Sequence, residues 1–164
     1  MLTKTRIDQL PAHSRVWIYQ ANRTLNEVEK TEISNTLQNF VDSWAAHGAP
    51  LLAGFEVVYD RFIVLAVDED QAAASGCSID SSVRVFQALD QHYSLDLFNR
   101  LSLAYRNEAG EIAVTPMIEF ERQLKEGALN ADTIVFNNLV TNLGEFQAGW
   151  EVPVSKSWHA RLMP

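Results

Sequence analysis

Six consecutive apolar residues, Phe62-Ile63-Val64-Leu65-Ala66-Val67, constrain this chain more than any other stretch. Successive side chains of a strand point to opposite faces, so a run without polar alternation has no face to offer to water. Such a strand belongs at the centre of a sheet, covered by helices or by a partner. Apolar residues at 51–58 precede it, and the break at Asp60-Arg61 predicts a β-hairpin even though no Asn-Gly or Asp-Gly turn joins the arms.

The period changes on either side of this hairpin. "RVWIYQA", 15–21, is rich in β-branched and aromatic residues and reads as a strand. Thr24-Leu25-Asn26-Glu27 fits a capping box, and Ile33, Leu37, Phe40, Val41 and Trp44 recur at helical spacing until His47-Gly48-Ala49-Pro50 closes the segment. After the loop "EDQAAASGC", a second amphipathic helix carries Ile79, Val83, Phe86, Leu89 and Tyr93, with Ser78 or Asp80 suited to cap its start. "RLSLAYRN" alternates as a strand, "NEAG" is a turn, "EIAVT" is another strand, and Thr115-Pro116 opens a helix that Gly127 ends. Beyond it, "DTIVFNN" reads as a short strand, "LVTNLGEFQAGW" as a short helix and "EVPVSKSWHARLMP" as an extended arm. The arm should pack, because Trp150, Val152, Val154 and Trp158 are costly to leave in water.

Strand, helix, strand, strand, helix, strand through residue 106 is the order of ferredoxin-like folds. The expectation is therefore an α+β protein with a ferredoxin-like βαββαβ core at about 15–106, a mostly antiparallel sheet, and a C-terminal β/α extension over about 107–164. Its 164 residues, 47% hydrophobic and 21% charged, suffice for one domain with its own core and are few for two of ordinary size, so a single domain over 1–164 is expected.

Composition also excludes function classes. A net charge of −8, with 13 Lys and Arg scattered singly, argues against nucleic acid. "MLTKTRIDQLPAHS" has no apolar run resembling a signal peptide, and no window approaches the roughly 20 apolar residues of a membrane span. One cysteine cannot form an internal disulfide, which fits a reducing compartment, and a cytoplasmic protein is expected. His13, His47, His92 and His159 show no HxxxH spacing and there is no CxxC, so neither a metal site nor a cofactor is expected. His92 reads as a surface residue, Glu119 with Glu121 as a solvated helix face, and Asp68-Glu69-Asp70 as a charged turn.

Chemistry concentrates in "ASGCSIDSSV", 74–83. The expected topology places Cys77 at a helix N-terminus, at the same end of the sheet as His47, Asp68 and Arg106. A helix N-terminus favours a thiolate, so Cys77 could be a nucleophile with His47 as base and Asp68 orienting it. The same stretch could instead dock an anion or small metabolite, with Ser75, Gly76, Ser78, Asp80, Ser81, Ser82 and Arg106 as contacts and Cys77 a bystander. Free cysteine is also among the most buried residue types, so a small core residue is the third reading. Trp158-His159 could fold over a pocket or anchor the tail.

Four segments, "VWIYQANR", "SGCSIDSSV", "VFNN" and "SWHARL", together resemble a family of small bacterial proteins without characterised function, some labelled ABC transporter ATPase. The resemblance spans nearly the whole chain. An ATPase needs GxxxxGK(S/T), whose backbone amides cradle phosphates while the lysine reaches them. Gly144-Glu145-Phe146-Gln147-Ala148-Gly149 has the glycine spacing, but Trp150-Glu151 stand where Lys and Ser or Thr are required, and no LSGGQ signature is present. The family carries no site residues over. Two functions remain: a non-catalytic binding or interaction module holding an anion or small metabolite at 75–82, and a thiol-dependent enzyme built on Cys77 and His47. The partners left open are a small anionic ligand and a second copy of the chain.

Overall fold

A computed structural model describes residues 6–164. The first five residues, part of the stretch read for a signal peptide, lie outside them. The protein is α+β. In chain order its elements are β1 (Arg15–Gln20), α1 (Glu27–Ser43), β2 (Ala45–Ala46), β3 (Ala49–Pro50), β4 (Leu52–Val58), β5 (Phe62–Asp68), α2 (Gly76–Tyr93), β6 (Ser102–Arg106), β7 (Ile112–Pro116), α3 (Met117–Glu126), β8 (Ile134–Phe136), α4 (Leu143–Gly149) and β9 (Glu151–Pro153), with short 3-10 turns at both ends. The residues group into two compact units, Met1–Phe98 with Thr141–Gly144, and Asn99–Val140 with Glu145–Pro164.

The apolar run is the centre of the first unit. β5 lies between β1 and β4, antiparallel to both, and every residue from Phe62 to Val67 is fully excluded from solvent. Ile63, Leu65 and Val67 share a core with Ile33, Leu37 and Val41 of α1 and Phe86 and Leu89 of α2. Phe62, Val64 and Ala66 alternate onto the other face and are closed to water as well. Each large side chain in the run contributes about 1.5–3 kcal/mol by its burial. The hairpin turns without glycine, because Tyr59 and Asp60 both adopt left-handed conformations (φ 53°) and Arg61 N–H closes on Val58 O.

Local chemistry explains the helix ends. Asn26 caps α1, accepting from Glu29 N–H while the Glu29 carboxylate accepts from Asn26 N–H, so the capping box sits two residues after the expected Thr24. The helix ends at Ser43, short of His47, because Trp44 is extended and His47-Gly48 form the left-handed turn of the small β2–β3 hairpin. Trp44 N–H of the indole donates to Ser78 O at 2.8 Å, which ties this end of α1 to the first turn of α2.

The fourth strand corrects the ferredoxin-like expectation. β1, β5 and β4 adopt the antiparallel order of that fold, but β6 joins a second sheet of order β7-β6-β8-β9. Both hydrogen-bonding edges of β6 are occupied there, one by β7 and the other by β8, so it has none to give to β1. The vacant edge of β1 is met by another segment: Val16 N–H donates to Thr141 O, Leu143 N–H donates to Ser14 O, and Arg15 bridges Asn142. The Asn107 carboxamide accepts from Ala109 and Glu111 N–H, and left-handed Gly110 completes the tight β6–β7 turn.

In the second unit, Leu103, Phe120, Leu124, Leu129, Val135 and Val154 form a separate core, with Trp158 and Leu162 packed against it. The C-terminal arm packs as expected: β9 extends the sheet, and Trp150 and Val154 are buried. Among the described residues, no helix is long and apolar enough to cross a membrane.

Leu65→Ala opens a void on the fully enclosed β5 and should lower unfolding stability by about 3 kcal/mol, whereas Leu52→Ala on half-exposed β4 should cost under about 1 kcal/mol. Urea unfolding of the two variants checks the contrast.

Candidate functional site

Helix α2 begins earlier than the sequence suggests. Ser75 is the cap: its hydroxyl accepts from Ser78 N–H at 3.1 Å, and Ser78 Oγ accepts from Ser75 N–H at 2.7 Å, a capping box with serine in the usual Glu position. Cys77 thus lies in the first turn rather than ahead of it, and it is exposed. The core-residue reading of Cys77 is thereby overturned, since a side chain in the first turn beside exposed Gly76 faces away from the apolar stripe.

The serines around it are largely spoken for by their own backbone. Ser78 Oγ also donates to Ser75 O, Ser81 Oγ donates to Cys77 O, and Ser82 Oγ donates to Ile79 O at 2.6 Å. Ser78 and Ser82 are buried. Ser81 additionally accepts from Arg84 at 3.3 Å, and Asp80 is exposed. The backbone N–H groups of Gly76 and Cys77 have no acceptor among the described residues, and apart from its chain neighbours and its own helix backbone nothing lies within 4 Å of where a Cβ on Gly76 would stand.

The other expected members are elsewhere. His47 is an exposed turn residue with φ 51°, and among the described residues no hydrogen bond or ion pair joins it to Cys77. Its conformation serves the β2–β3 turn. Asp68 closes β5, and its carboxylate accepts from Asp70 N–H at 3.0 Å and lies 3.8 Å from His13 Nε2, so it belongs with His13 and not with His47. Arg106 sits in the second unit, donating to Glu151 at 2.8 Å and to Gly110 O at 2.8 Å. The thiol, the imidazole and the carboxylate of the enzyme reading are therefore not assembled by hydrogen bonds.

Two features escaped sequence reasoning. His13 Nε2 is 2.8 Å from Asp70 Oδ1 across 57 residues of sequence, a meeting that only the β1–β5 register creates. His159 is 1% exposed, its Nδ1 2.7 Å from Ser157 Oγ, its ring stacked on Trp158 at 4.1 Å and 5.7 Å from Phe120. Trp158 thus packs against the histidine instead of covering a pocket. Burial pushes the His159 imidazole down from its ordinary 6.5 to about 4. In the first unit, the bidentate Arg23 guanidinium and the Asn26 N–H hold Glu29 down at about 2. A cleft of about 440 Å³ in the second unit is lined by Leu139, Val140, Glu145 and Lys156 among others.

Comparison with known protein families, with curated proteins and with solved structures finds no match.

Two expected outcomes follow from this geometry. Cys77 in the folded protein should react with iodoacetamide without denaturant, and His47→Asn should leave the rate unchanged, because among the described residues no hydrogen bond or ion pair joins the two side chains. His159 is kept neutral by the fold, so between pH 6.5 and about 4 the unfolded chain binds the proton and the folded chain does not. Stability is therefore full above 6.5 and falls as pH drops through this window, by on the order of 3 kcal/mol. His159→Asn should flatten that slope in urea midpoints taken from pH 7 to 4, while the loss tied to Glu29, whose window runs from 4.5 to about 2, falls mostly below that range.

Proposed function

We propose that this chain is a small cytoplasmic, non-catalytic binding module that holds a small anion or an anionic metabolite on the first turn of α2. The observation that carries this reading is the pair of outward N–H groups on Gly76 and Cys77, left without acceptors in a turn whose other donors are satisfied by Ser75 and Ser78. The first turn of α2 contains no acidic residue, unlike those of α1, α3 and α4. Its dipole and free amides therefore await an external negative charge. The Glu69 carboxylate accepts from Ala74 N–H at 2.9 Å, one step earlier in the chain. A net charge of −8 disfavours an extended polyanion and leaves a compact ligand as the fitting class.

Catalysis is not required by this arrangement. Among the described residues no base is bonded to Cys77, and the hydroxyls of Ser78, Ser81 and Ser82 donate to main-chain carbonyls of the helix and its cap. Inorganic phosphate titrated into labelled protein should shift the Gly76 and Cys77 amide resonances saturably. Cys77→Asp supplies a built-in carboxylate and should abolish that shift while raising stability by about 0.5 kcal/mol. Amides that stay fixed throughout the titration would refute the reading.

A further inference from the structure

We infer that His13, Asp68 and Asp70 form a binding site for a divalent cation of the zinc class at the end of the β1–β5 ladder. The register sets up the meeting. Arg15 pairs with Val67, so continuing the antiparallel ladder outward carries the residues before β1 alongside those that close β5. His13 Nε2, one carboxylate oxygen of Asp68 and one of Asp70 then all lie within 4.8 Å of one another. A first-row dication with bonds of about 2.0–2.2 Å holds its ligand atoms roughly 3–3.5 Å apart, so the three donors lie near the spacing that such an ion imposes.

Charge argues for a cation independently of spacing. Among the described residues, His13 is the only ion-pair partner of either carboxylate within 4 Å. One imidazole nitrogen can satisfy one carboxylate at a time, and it does so unequally, at 2.8 Å from Asp70 and 3.8 Å from Asp68. Two negative groups converge where at most one positive charge is available. A dication removes that conflict, because it accepts lone pairs from all three donors at once and needs no proton on Nε2.

The donor set selects the kind of ion. Calcium takes six to eight oxygens and magnesium keeps most of its water, whereas one imidazole with two carboxylates suits zinc or its first-row neighbours. Asp68 is the anchored ligand: its side chain is 12% exposed and is fixed by the Asp70 N–H. His13 and Asp70 are each 61% exposed, which gives the ion an entry path and leaves its remaining positions to water. The site stands apart from the α2 amides and does not depend on them.

The test is calorimetric titration of zinc chloride into the full chain carrying Cys77→Ser, which removes the exposed thiol as a competing ligand. We expect one saturable site, weakened roughly 10-fold or more when His13→Gln or Asp70→Asn is added. Both are exposed positions, so the variants should fold, and circular dichroism verifies it. Manganese chloride in the same background should selectively broaden the amide signals of His13, Asp68 and Asp70. Absence of saturable zinc binding, an affinity that neither variant changes, or broadening centred on other residues would overturn the proposal.

Discussion

The exclusion of water from both faces of β5 is the constraint on which the first unit depends. A strand with no polar alternation can be stable only with partners on both hydrogen-bonding edges and cover on both faces. β1 and β4 supply the edges, and α1 and α2 supply one face. The helices are held to this task by specific links. Tyr19 of β1 stacks on Phe86 of α2 at 3.8 Å, and the Trp44 indole donates to the carbonyl of Ser78. The first turn of α2 is therefore anchored to the core from below while its Gly76 and Cys77 face outward.

That anchoring bears on chemistry. A serine-rich helix start has two uses for its hydroxyls: they can reach a ligand, or they can satisfy the helix itself. Here Ser75 and Ser78 close a reciprocal box, and Ser81 and Ser82 donate back to carbonyls one turn earlier. What is left for an external partner is the main chain and the dipole, which favour charge without discriminating shape. Selectivity among anions would then have to come from the neighbouring exposed side chains, Cys77 and Asp80.

Much of the architecture was legible because its signals are local. The helical spacing of Ile33, Leu37 and Val41 and the turn between β6 and β7 each involve residues within a few positions of one another. The errors arose where local signals compete. Ser78 and Asp80 were both plausible caps, and the box formed by Ser75 extended the helix by one turn. The stretch ending in His47-Gly48 carried a helix-stop signal that serves a two-residue hairpin turn instead. Cys77, His47 and Asp68 were grouped by topology at one end of a sheet, yet sharing an end does not bring side chains into contact. Asp68 is claimed by His13, and His47 by its turn.

Alone, then, the sequence determined the α+β class, the order of the main helices and strands, the central place of Phe62–Val67 and the packing of the C-terminal arm. These follow from periodicity and apolar surface, which each segment carries within itself. Only the tertiary structure decided which strand edges meet, that β6 turns away to β7 and β8 while Thr141–Leu143 meets β1, that His159 is buried among aromatic rings, and that His13 faces Asp68 and Asp70. Those outcomes depend on register and on competition for edges between segments far apart in the chain. The free energy that settles such a competition belongs to the assembled pair of edges and is written in neither segment separately.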